Sequence, residues 1–109
     1  MIEPGNIVLV KFPGSVTTKI RLALVISSRE YHQTRPDVIL GILTSQINQA
    51  VSPSDYCLKE WQTAGLDKPT AFRSYLITVQ QPDIKKIGQL TTKDWEGIQS
   101  CLRHAIHID

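Results

Sequence analysis

The chain has 109 residues, 41% hydrophobic and 20% charged, which suits one domain with a single modest core and excludes wholesale disorder. Its formal charge of +2 permits a nucleic-acid partner without demanding one, because local clustering counts for more than the total. No apolar run approaches the roughly 18 residues of a membrane helix, so a membrane-spanning protein is not expected.

Met1 to Gly5 lacks the basic start and apolar stretch of a signal peptide, so the expected compartment is the cytoplasm. There Cys57 and Cys101 stay reduced, and with no CxxC pattern both read as small buried hydrophobes.

The first predicted strand is 6–12, with Pro4-Gly5 before it and Pro13-Gly14 after it. A polar loop over 14–19 follows, then a second strand over 21–27 whose continuous apolar character implies burial on both faces. Arg29 to Arg35 is a polar excursion with room for one helical turn, ended by Pro36. Asp37 to Thr44 is a third strand in which Gly41 marks a bulge or a close backbone approach. Residues 45–54 read as loop, 55–59 as a short fourth strand and 63–69 as a turn-rich connector. Thr70 to Val79 and Ile84 to Leu90 give the fifth and sixth strands, with Gly88 permitting a bend.

The chain ends in a helix. Thr91 can cap it, and Asp94 can reach back as the carboxylate of a capping box. Leu90 and Trp95 stand at the two positions of a hydrophobic staple. Trp95, Ile98, Leu102, Ala105 and Ile106 repeat at helical spacing, and Gly97 weakens the helix. Many short strands followed by one helix describe a small, strongly bent barrel, mainly β, spanning 1–109 as a single domain.

Few residues invite chemistry. Arg21 stands at the mouth of an apolar strand, where a rigid guanidinium suits phosphate oxygens; the plain alternative is a surface charge paired with Glu3 or Asp37. Thr44 and Ser45 place two adjacent hydroxyls at a strand end, where ordinary turn hydrogen bonding is the competing account. Lys11, Lys19 and Arg21 are candidates for a basic patch, although neighbouring strand positions point to opposite faces. His104 and His107 fall three apart near the helix end, but only Asp109 offers a further ligand, so helix-end charge is the simpler account and no metal site is expected. His32 lies in a polar stretch with proton-shuttle chemistry but no spacing that requires it.

Gly5 to Pro13 together with Lys19 to Ser28 resembles the opening of the PemK/MazF-like toxins, the small endoribonucleases of bacterial type II toxin–antitoxin pairs. Arg21-Leu22-Ala23-Leu24-Val25 matches the family's Arg-Pro-Ala-Leu-Val-type strand, with Leu22 in place of the proline. Leu43-Thr44-Ser45-Gln46 matches its third-strand end, and Lys68-Pro69-Thr70-Ala71-Phe72-Arg73 its Leu-Pro-Ser-x-x-Arg-type segment. The loop lacks the family's Glu-Gln after Gly14-Ser15, where Val16-Thr17 stand, and Tyr75 replaces an acidic residue.

The resemblance implies an SH3-like barrel of about six strands with a C-terminal α-helix. It makes Arg21 and Thr44 the catalytic pair and assigns Lys19, Ser45 and Arg73 to RNA binding. It further implies single-stranded RNA as substrate, cleavage without metal or other cofactor to a 2′,3′-cyclic phosphate and a 5′-hydroxyl, a homodimer, and a cognate antitoxin. The departures at Val16, Leu22 and Tyr75 leave a second reading open. On it, the same barrel is a degenerate RNA- or protein-binding module, or a gyrase-poisoning toxin.

Overall fold

The computed structural model describes residues 2–13 and 18–108. Among these, the elements in chain order are β1 (Asn6–Pro13), β2 (Thr18–Val25), α1 (Arg29–Thr34), β3 (Asp37–Thr44), β4 (Tyr56–Cys57), β5 (Ala71–Gln80), β6 (Ile84–Gln89) and α2 (Thr92–Ala105). Single 3-10 turns occupy Ile47–Gln49 and Gln81–Asp83. The strands form one antiparallel sheet in the order β4-β5-β3-β2-β1-β6, curled into a half-barrel with α2 against it. This is the mainly β architecture with a terminal helix that the sequence implied.

Strand alternation sorts the apolar residues onto two faces. Ile7, Leu24, Leu43 and Phe72 pack with Leu58, Ala64, Leu90 and Ile98, so this face is covered by α2 and the segment before β5. Val8, Val10, Ala23, Val25, Val38 and Leu40 form a second cluster on the other face, joined by Ile77, Val79 and Ile84. Each fully buried aliphatic side chain contributes about 1.5–3 kcal/mol.

The sheet departs from expectation in β2. The strand begins at Thr18, inside the predicted loop, so Lys19 is already paired to β1. Ala23, Leu24 and Val25 are covered on both faces, yet Ile20 is 62% exposed. Pairing with β3 begins only at Ala23, so the first half of β2 runs beyond the covered part of the sheet. Residues 14–17, including the departure at Val16, lie outside the described residues.

Both features foreseen for Gly41 occur together. A Cβ there would overlap the Phe72 ring, and the register shifts at this point. Gly41 faces Leu76 while Ile42 faces Arg73, so Ser74 and Tyr75 fall between the paired positions as a bulge in β5. A smaller shift beside Gly88 bends β6 against β1.

In α2 the N-cap is Thr91, whose hydroxyl accepts the Asp94 N–H at 3.3 Å. The Asp94 carboxylate does not close a capping box. It accepts from the Tyr56 hydroxyl at 2.8 Å and from the backbone N–H groups of Lys59 at 3.0 Å and Glu60 at 2.8 Å. Three converging donors at a helix N-terminus outcompete one N–H for a buried carboxylate.

Leu90 and Trp95 do pack in one cluster, as a staple requires. The buried helix face is Asp94, Ile98 and Cys101, while Ala105 and Ile106 are exposed, so the apolar stripe is shorter than the sequence suggests. Cys101 is buried and donates Sγ–H to the Asp55 carbonyl at 3.4 Å. Cys57 is exposed, against expectation, because β4 turns Tyr56 inward and the next side chain outward.

Candidate functional site

The register gathers the predicted residues before any side-chain geometry is considered. Ala23 pairs with Ile42, and Ile42 with Arg73. Continuing the β2–β3 register by one pleat sets Arg21 opposite Thr44, on the same face as Ile42 and Arg73. Lys19 shares that face by alternation.

There the surface opens into a groove of about 540 Å3. Lys19, Arg21, Thr44 and Arg73 line it with Ile42, Leu43, Gln46, Gln49, Tyr75 and Ile77. The described lining carries three cations and no carboxylate, so the groove favours an anion.

The partners proposed for Arg21 as a plain surface charge are engaged elsewhere. Glu3 pairs with Arg29 at 2.9 Å, and Asp37 pairs with Arg35 at 3.0 Å. Asp37 also accepts from the Tyr31 hydroxyl; this bond, with that from Arg35, holds the Asp37 carboxyl below the usual range, and the same Tyr31–Asp37 bond raises Tyr31 above its own. Among the described residues nothing pairs with Arg21, which is exposed along the groove.

Thr44 ends β3, and its Oγ1 accepts the Gln46 N–H at 3.1 Å. Its own hydroxyl proton is thereby left to be donated into the groove. Ser45 is exposed just beyond the strand and does not line the groove; the turn that starts there carries it away.

Arg73 is held on two sides. Its guanidinium carbon sits 4.7 Å above the Tyr75 ring centre, and its Nε lies 3.7 Å from Asp55 Oδ1. That is an ion pair too long for a hydrogen bond, and Nε is sealed from solvent with no hydrogen-bond partner among the described residues. Asp55 therefore neutralises Arg73 in part, while the Arg73 side chain still lines the groove.

Lys11 pairs with Ile20 and so falls on the face away from Lys19 and Arg21. His32 is also elsewhere: its ring nitrogens meet Ser27 Oγ and, at 3.0 Å, the Ile2 carbonyl. It pins the N-terminal segment to α1 beside a separate hollow, away from the groove. Among the described residues no three His, Cys, Asp or Glu side chains gather as a metal site, and Asp109 lies outside those residues. No helix among them is long and apolar enough to cross a membrane.

Sequence reasoning treated Tyr75 as a mere departure and missed Asp55, Gln46 and Gln49. For Tyr75 the signal was present, since Arg73, Tyr75 and Ile77 alternate onto one face.

A family model described as the PemK-like, MazF-like toxin of type II toxin–antitoxin systems matches residues 3–106. The chain belongs to this family. Solved structures of such toxins share its fold at low sequence identity. An endoribonuclease bound to its cognate antitoxin, from a mycobacterial species, is 14% identical, with TM-score 0.83 over 100% of this chain and 98% of that one. A MazE–MazF structure from Deinococcus radiodurans is 14% identical, with TM-score 0.80 over 99% and 98%. The Mycobacterium tuberculosis toxin MazF-mt6 is 16% identical, with TM-score 0.76 over 95% and 98%. No curated protein sequence matches the chain. In this PemK/MazF-like toxin the cationic groove is thus built on a fold that is retained while most residues change.

Proposed function

We propose that this toxin is an endoribonuclease that cuts single-stranded RNA in the Lys19–Arg21–Thr44–Arg73 groove and thereby inhibits translation and growth. One observation carries the reading. Arg21 is a guanidinium without an ion-pair partner among the described residues, lining a groove it shares with a threonine hydroxyl that has a proton to donate.

In the proposed reaction the RNA 2′-oxygen bonds to the adjacent phosphorus and loses its proton to solvent water. The P–O5′ bond breaks and O5′ takes up a proton from solvent water, giving a 2′,3′-cyclic phosphate and a 5′-hydroxyl. Arg21 offers fixed donors to the non-bridging oxygens as charge builds on the phosphorane. Thr44 donates its hydroxyl proton to one of them. With a pKa above about 12, arginine serves by charge and hydrogen bonding rather than as a general base. Lys19 and Arg73 hold flanking phosphates. Charge neutralisation by guanidinium is the basis for expecting cleavage without metal.

The family context extends the proposal to partners and place. A cognate antitoxin occupies the cationic groove, the active form is a homodimer, and the toxin acts in the cytoplasm. The MazE–MazF structure supports an antitoxin as partner.

A second reading, RNA or protein binding without cleavage, rests on Arg73 being partly neutralised by Asp55 and on Leu22 standing where the family has proline. One assay separates the two. A long RNA incubated in EDTA is expected to be cut, with cyclic phosphate ends on mapping. Salt-sensitive binding with intact RNA would favour the second reading, and stabilised DNA breaks with gyrase would favour a gyrase poison.

A further inference from the structure

We propose that Tyr75, with Arg73 lying over its ring, is a stacking platform for one base of the single-stranded RNA, so that the groove reads a base as well as gripping phosphates. This rests on the RNA-directed reading above.

Tyr75 is 60% exposed, yet it lines the groove beside Ile42 and Ile77. The core does not use its ring; the contact identified for it is the guanidinium of Arg73, 4.7 Å from its centre. Arg73 is in turn fixed from behind. Asp55, whose side chain is only 6% exposed, faces its Nε and also accepts the Ser52 N–H at 3.3 Å. The intervening residue is fixed as well, since Ser74 donates its hydroxyl to the Ser54 carbonyl at 2.6 Å. The β5 bulge takes Ser74 and Tyr75 out of one-to-one pairing, the usual way a strand re-aims side chains beside a site.

Together these features hold a flat aromatic surface, edged by apolar side chains, next to three cations. Single-stranded nucleic-acid sites have this composition: cations track the backbone and aromatic faces take bases. Stacking tolerates any base, and a purine covers more of the ring than a pyrimidine, so a purine is favoured at this position.

The test uses the full chain and two uncleavable strands of equal length. One is 2′-O-methyl RNA, which lacks the attacking hydroxyl; the other is the same phosphodiester backbone without bases. Wild type and Tyr75→Phe are expected to bind the RNA alike, with Tyr75→Leu about tenfold weaker. All three should bind the base-free strand equally, because phosphate contacts are untouched. Equal RNA binding by Tyr75→Leu overturns the platform. So does an equal loss on both strands, which would mean that Tyr75 only steadies Arg73. If wild type still cleaves ordinary RNA in either case, the platform fails while the ribonuclease reading stands. Failure of wild type to bind RNA at all overturns both.

Discussion

Two charged neighbourhoods lie on opposite faces of the same sheet and have opposite designs. On the helix side, Asp94 is fully buried and each oxygen is satisfied, by the Tyr56 hydroxyl and two backbone N–H groups. On the groove side, Arg21 is exposed and has no partner among the described residues, and the Nε of Arg73 faces a carboxylate it does not quite reach. A buried charge left unmatched costs several kcal/mol, so the first arrangement serves stability. A surface cation costs little when left unpaired and keeps its donors for a ligand, so the second serves binding.

The sharpest way to break this contrast is to remove Asp94. Asp94→Ala strands three donors at once and is expected to cost about 3–5 kcal/mol in urea denaturation, a large share of a small domain's stability. A loss under about 1 kcal/mol would show that water can replace the carboxylate, and the two faces would then differ less than proposed.

Arg21→Ala should do the reverse. RNA cleavage is expected to fall about 100- to 1,000-fold, as for removal of a transition-state donor, with stability changed by no more than about 0.5 kcal/mol. Unimpaired cleavage would remove Arg21 from the mechanism.

Alkaline pH gives a smaller effect, to which the helix side contributes through Tyr56. Burial, and then the hydrogen bond to Asp94, push Tyr56 well above its ordinary value of 10.0. The folded state therefore keeps this proton at pH values where the unfolded chain has released it. The resulting stability is complete below about pH 10 and declines as pH rises beyond it. Tyr31 is raised too and adds to the same decline. Tyr56→Phe should flatten the fall of unfolding free energy above pH 10 while leaving RNA cleavage near neutral pH unchanged.

The smallest effect is expected at Lys19, a flanking phosphate contact. Lys19→Ala should lower the slope of log affinity against log salt for single-stranded RNA by about 0.7. An unchanged slope would place Lys19 among ordinary solubilising charges.

Much of the fold was legible because local rules agree. Asp37 to Thr44 is a strand with the predicted bounds, Thr91 caps α2, and Leu90 packs with Trp95. The errors share one cause: residues whose partners are distant in the chain. Asp94 satisfied every local rule for a capping box, but its partners are 34 to 38 residues away. Gly97 read as a weak point in a helix, yet a Cβ there would strike the Tyr56 ring, which needs that space to reach Asp94.

Periodicity, turn residues and short motifs set the strands, the terminal helix and a shortlist of cations and hydroxyls, since these depend on neighbours within a few residues. Only the folded sheet decided that Arg21, Thr44 and Arg73 share one groove while Ser45 and His32 do not, and that Tyr75 joins them. Cross-strand register and a two-residue bulge control which side chains meet, and both arise from pairing between residues 15 to 43 positions apart.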